Sequence, residues 1–262
     1  MDKIVLRIDD IGASGKKYNQ RGRKYWPVFG KQLPLSFFAD WLFFKRIKPF
    51  ALWGVYPELN VNQWEKIFLL LNSYDAKMTV GITACWAESE YELIPFNEKF
   101  PDEAGILKEG LQDGLIEIAN HGLTHCVLVE NLFHPRPFSS NRKFHREFWE
   151  WLSPEIHKEH IFRSQEILSS YFNKDIVTFI PPGGIWTDNT ERYAFNSGIK
   201  YLSAVEERCP TGKTSNGLAY VGNKNMIDFH DREISIFGVH WLEEKMDDYS
   251  GKFCTVKDYF NK

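Results

Sequence analysis

Apolar positions along the chain fall into short unbroken runs separated by stretches of helical spacing. IVLRI near the start is compact and rich in β-branched residues. It ends abruptly at Asp9-Asp10-Ile11-Gly12, which reads as a buried strand opening into a loop. PFALWGVYPE predicts a second strand, NVNQWEKIFLLLNSY a helix with Asn60 or Asn62 near its cap, and KMTVGITACW a third strand. DEAGILKEGLQDG has helical spacing with Gly114 as its stop, and LIEIAN is a short strand that delivers HGLTH. Ser153-Pro154-Glu155 signals a helix start, with serine at the cap and proline in the first turn, and IHKEHIFRSQEILSSYF continues it. IVTFI is a fourth β run into Pro-Pro-Gly-Gly, ERYAFNSG a helix, IKYLSAV another strand, and ISIFGVHW the last strong strand.

Strands alternating with helices, without internal repeats, predict a mostly parallel sheet. In such folds chemistry collects at the C-terminal ends of the strands. Asp9-Asp10, His121, Pro181-Pro182 and His240 all fall at predicted strand ends, so one barrel would bring them to one rim. The 262 residues suit a single barrel-like α/β domain spanning 1–262, able to bury a core without staples. Two inserts interrupt it, a glycine-rich basic loop near 12–34 and an irregular aromatic stretch near 126–152.

Composition narrows the partners. The net charge of −3 gives no reason to expect nucleic acid or an anionic membrane. Cys85, Cys126, Cys209 and Cys254 form no CxxC pair and read as reduced, small apolar residues. No stretch approaches a membrane span, and no leader pattern precedes the first strand, so the expected location is cytoplasmic. Aromatic residues crowd 25–56 and 133–162, and any excess in loops would suit stacking on sugar faces.

The candidate chemistry lies in two motifs. Neighbours on a strand point to opposite faces, but where a strand gives way to a loop two adjacent acids can turn into one cavity. They repel there unless a cation or donors compensate. In HGLTH, His121 and His125 stand four apart, the spacing that brings two imidazoles together on one helical face. With Asp10 they offer one oxygen and two nitrogens, a set that leaves positions open on a divalent metal. A metal so held acidifies a water and polarises a carbonyl. Asp9, beside the ligand without being one, is placed to act as base.

The ordered set of Asp-Asp at a strand end, KMTVGITACW, EGLQDG-LIEIANHGLTH and LSPEIHKEHIFRSQEILSSYF before a Pro-Pro-Gly turn resembles the polysaccharide deacetylase (NodB-like) family. The likeness covers most of the chain. It implies a distorted (β/α) barrel of the NodB deacetylase type that removes N-acetyl or O-acetyl groups from carbohydrates with a divalent metal, zinc favoured. By position, Asp9 matches the family's base, and Asp10, His121 and His125 its metal triad. A late histidine at a strand end serves as general acid. His230 in DFHDR and His240 in ISIFGVHW both qualify, and the stronger apolar run favours His240. Trp186 follows a strand end, where the family lines its groove with aromatics, and Trp241 is either an acetyl-pocket wall or core.

Three features depart from the family pattern. Gly122 stands where Ser or Thr is expected, Ile180 where an arginine orients the base, and the Asp-x-x-Asp-Trp segment is absent. Arg7, two residues before Asp9 and so on the same face, could supply the missing cation or pair with an acid deeper in the barrel. His157 and His160 read as an exposed helix face. The expected substrate is an acylated sugar, nucleotide-linked, lipid-linked or soluble, in a pathway such as O-antigen assembly. The rivals are a retired barrel that binds carbohydrate and a metal amidohydrolase acting on a non-sugar substrate.

Overall fold

In a computed structural model, the structure describes residues 3–18, 25–29, 31–34, 56–133, 142–204, 209, 212–249 and 251–261. The strands, in chain order, are β1 (Lys3–Ile11), β2 (Tyr25–Val28), β3 (Lys31–Pro34), β4 (Met78–Ile82), β5 (Cys85–Ala87) and β6 (Leu93–Pro95). After them come β7 (Ile116–Asn120), β8 (Thr178–Phe179), β9 (Tyr201–Ser203), β10 (Ala219–Val221), β11 (Met226–His230) and β12 (Lys252–Cys254). Eight of these form one sheet in the order β10-β9-β8-β7-β4-β1-β11, with β12 also on β1. All its pairings are parallel. The other four make two antiparallel hairpins, β2–β3 and β5–β6.

Why the central strands read as unbroken apolar runs is plain from their burial: β4 and β7 are buried at every position and β1 at all but its first. Helices cover the outside. The helix Val61–Ser73 starts at a capping box, in which Asn60 accepts from the Gln63 N–H and Gln63 accepts in return, and it buries Trp64, Ile67 and Leu71. The helix Pro154–Phe172 begins at Ser153-Pro154 as the sequence predicts, and ends on Asn173 at φ 49°. The sheet curls strongly, since Ser203 on β9 hydrogen-bonds Arg7 on β1 at 2.7 Å although β8, β7 and β4 lie between them.

Two expectations are corrected. ISIFGVHW is not a strand: Asp231–Phe237 and His240–Asp247 are helices, separated at Gly238 (φ 81°). The place beside β1 is taken by MIDFH, paired from Val5↔Met226 to Asp9↔His230. Buried Ile234, Leu242 and Met246 turn helical faces inward. An apolar run alone does not separate a strand from a buried helix, and here the run misled. HGLTH is likewise an irregular turn after β7 and not a helical face. Most of the predicted strand PFALWGVYPE lies outside the described residues, as does part of each insert. The four cysteines are buried and none is in a disulfide, as expected.

Candidate functional site

Asp9 and Asp10 close β1, and the backbone explains how both enter one cleft. Asp10 has φ 68°, a left-handed conformation that aspartate tolerates better than most side chains, and the β1–β4 register slips between Ile8 and Ile11. The alternation of the strand is broken there, and both acids are buried. Arg7 lies below them on the same strand. One of its amino groups is 2.8 Å from Asp9 Oδ2 and 3.7 Å from Asp228, and the other donates to Ser203. Asp9 Oδ1 is buried without a hydrogen-bond partner.

Asp10 Oδ1 stands 3.3 Å from His121 Nε2 and 2.9 Å from His125 Nε2. One donor atom from each of the three residues lies within 4.8 Å of the others. His121 Nδ1 is 2.7 Å from the Ile180 carbonyl, which can only accept. Nδ1 therefore carries a proton, and Nε2, which faces Asp10 as a hydrogen-bond donor, is the nitrogen that a metal would take. Burial would raise the Asp10 carboxyl, but the charges of His125 and His230 and the hydrogen bonds from both imidazoles hold it well below its ordinary value. Burial would lower His121, yet the Asp10 hydrogen bond and the charges of both acids leave it raised. An oxygen and two nitrogens converging on one buried point fit a divalent metal.

These groups line a cleft of about 250 Å³ together with Arg7 and His230. His230 ends β11 with its side chain 40% exposed, and its backbone N–H donates to Glu233 at 3.0 Å. The structure does not bring His240 to this cleft. It opens the helix His240–Asp247, 74% exposed and paired with Glu243 and Glu244, because the expected strand is helical. Trp241 packs on Phe229 against the main core, with ring centres 5.6 Å apart. Trp186 packs beside Tyr220 on a second core cluster and is not among the residues lining the cleft.

With the geometry in hand, the chain can be compared with known proteins. The sequence profile for polysaccharide deacetylases matches residues 55–202, more than half of the chain. The chain belongs to the polysaccharide deacetylase family. Its sheet is accordingly the distorted (β/α) barrel of the NodB type, and the family's chemistry is hydrolysis of acylated carbohydrate. No curated protein sequence matches it. Among solved structures, it is similar to a CE4 family pseudoenzyme from Bacillus anthracis (12% identity, TM-score 0.46, covering 76% of this chain and 60% of that one). It is also similar to a family 4 acetyl xylan esterase from Clostridium thermocellum, solved with a cobalt ion (13%, TM-score 0.48, 99% and 90%). A third is the BpsB deacetylase domain from Bordetella bronchiseptica (15%, TM-score 0.46, 87% and 96%).

The chain's departures from its family pattern have local causes. The Arg7–Asp9 pair supplies from β1 the cation that Ile180 lacks. Gly122 has φ 81°, and a Cβ there would stand 2.2 Å from Glu147 Oε2. Glu147 is buried and accepts from the N–H groups of Leu123, Thr124 and His125 at 2.9, 3.3 and 2.9 Å, and from His160 Nδ1 at 2.6 Å. His157 and His160 are thus not an exposed face. Both are buried, and His157 Nδ1 bonds Thr190 at 2.7 Å. Positions 157, 160, 161, 164 and 168 share the buried side of the helix, a spacing visible in the sequence. Glu147 itself has no sequence signal beyond the glycine it requires at 122.

Proposed function

We propose that this deacetylase-family chain is a metal-dependent hydrolase that removes an N-acetyl or other acyl group from a carbohydrate. The observation that carries the reading is an acid with one free oxygen beside a three-donor metal set. Asp9 is tied by Oδ2 to Arg7 and keeps Oδ1 without a partner, in the same cleft as Asp10, His121 and His125. A divalent metal in that set, zinc by preference, would acidify a water and polarise the acyl carbonyl.

In this mechanism Asp9 Oδ1 takes the proton of the attacking water while Arg7 fixes the carboxylate by its other oxygen. His121 and His125 turn Nε2 inward with Asp10, the Ile180 carbonyl keeping the His121 ring in register. His230, which ends β11 beside Asp9, gives the proton to the departing amine or alcohol. The missing family arginine favours the retired-barrel alternative, and the Arg7–Asp9 pair weighs against it by putting a cation on the base from β1. The substrate in this proposal is a nucleotide-linked, lipid-linked or soluble acylated sugar, handled in the cytoplasm in a route such as O-antigen assembly.

Asp9→Asn tests the mechanism. Turnover of an acetylated sugar should fall by about 10²–10⁴-fold, the usual worth of a general base, with zinc still bound. Activity that survives intact would remove Asp9 from the base role.

A further inference from the structure

The two metal-facing histidines are not held in the same way. His121 is oriented by its own ring, through Nδ1 and the Ile180 carbonyl. His125 Nδ1 is buried with no partner, so apart from Asp10 at Nε2 nothing bonded to the ring fixes it. His125 also has φ 58°, a left-handed conformation unusual for a side chain of its size. Its remaining orientation is set through the backbone, in a segment outside helix and strand whose Gly122 and Leu123 carbonyls accept from the Ala84 and Cys85 N–H groups.

Three successive N–H groups of that segment turn inward onto one carboxylate. Glu147 Oε1 accepts from Leu123 and His160, and Oε2 from Thr124 and His125. A row of N–H groups curled around an anion is a nest, and here its anion is the protein's own side chain. The nest also explains Gly122. A Cβ at 122 would overlap Glu147 Oε2 at 2.2 Å and Pro182 Cγ at 2.8 Å, so a side chain there excludes the carboxylate.

We propose that Glu147, backed by His160, is a positioning residue that sets His125 as a metal ligand through the 123–125 backbone, and that Gly122 exists to admit it. This rests on reading Asp10, His121 and His125 as a metal site. Glu147 touches neither metal position nor cleft and acts only through the loop. His121 is anchored independently, so loss of Glu147 should disturb one imidazole and spare the other.

The test uses the full chain with Glu147→Gln and, as a change that keeps the glutamate but crowds its carboxylate out of the nest, Gly122→Ser. Zinc affinity is measured by competition with a chelator, the visible spectrum after cobalt loading, and imidazole and amide signals by NMR. Both variants should fold, bind zinc roughly 10–100-fold more weakly, as removal of an outer-sphere partner does, and show an altered cobalt spectrum. The His125 ring and the 123–125 amides should shift or exchange faster while the His121 ring stays put. Native zinc affinity and an unchanged cobalt spectrum in both variants would overturn the proposal, as would equal disturbance of both rings. If the parent chain takes up no zinc, the metal reading fails by itself. The metal-free amide and ring signals then decide the positioning role, and unchanged signals in Glu147→Gln overturn it.

Discussion

Two buried acids on neighbouring levels of the same barrel are treated in opposite ways. Glu117, near the start of β7, is saturated. Oε2 accepts from Thr79 Oγ1 and the Lys257 N–H, each at 3.0 Å, and Oε1 from Thr178 Oγ1, all of them uncharged donors. Asp9, at the end of β1, has one oxygen on a guanidinium and the other on nothing. A carboxylate placed for stability fills its lone pairs, because an unmet one in the interior costs free energy. The cleft leaves Asp9 Oδ1 and His125 Nδ1 unmet. The contrast separates a closed structural network from a site with vacant bonding capacity, and it does so inside one sheet.

The largest effect that would break this comparison concerns the general acid. His230→Ala should lower turnover by about 10²–10⁴-fold, whereas His240→Ala, on an exposed helix, should leave it unchanged. Steady-state kinetics on both variants decides; equal rates for the two would remove His230 from the mechanism. Next in size is Arg7→Ala, which strands Asp9 and should cost about 3–5 kcal/mol of stability, as loss of one partner of a buried pair does. Adding Asp9→Asn to it should recover much of that stability in urea melts but no activity. A double variant as unstable as the single one would mean that Arg7 serves packing and not Asp9.

Much of this was legible before the fold was seen. Asp9, Asp10, His121 and His125 carry their chemistry in residue type and in position at the ends of apolar runs, and a strand-to-loop transition is what periodicity marks best. The alternative for Arg7 was equally visible from its even spacing to Asp9. What misled was ISIFGVHW, where Ile234, Ile236, Phe237 and Val239 outweighed the subtler MIDFH, although it is the latter that pairs with β1. Glu147 was not legible because its role is to accept backbone N–H groups 22 to 24 residues away, a contact with no side-chain pattern of its own. Gly122 was its only trace, and it read as a departure from a motif instead of as room for a carboxylate.

The smallest effect sharpens the comparison from the structural side. Burial raises the Glu117 carboxyl above its ordinary 4.5, and the hydrogen bonds from the Lys257 N–H and the surrounding threonines only partly offset this. Between 4.5 and the raised value, the folded chain keeps a proton that the unfolded chain has lost. Stability tied to Glu117 is thus fully present below that window and declines as pH rises through it. Each unit of separation between the two values is worth about 1.4 kcal/mol. Glu117→Gln carries no such proton, so its stability relative to the parent should improve steadily with pH across the window and level off above it. Differences in urea midpoint, taken in steps upward from acid, isolate this term because every other titrating group is common to both proteins. A difference that stays flat would mean that Glu117 titrates alike in the folded and the unfolded chain, its donors fully offsetting burial.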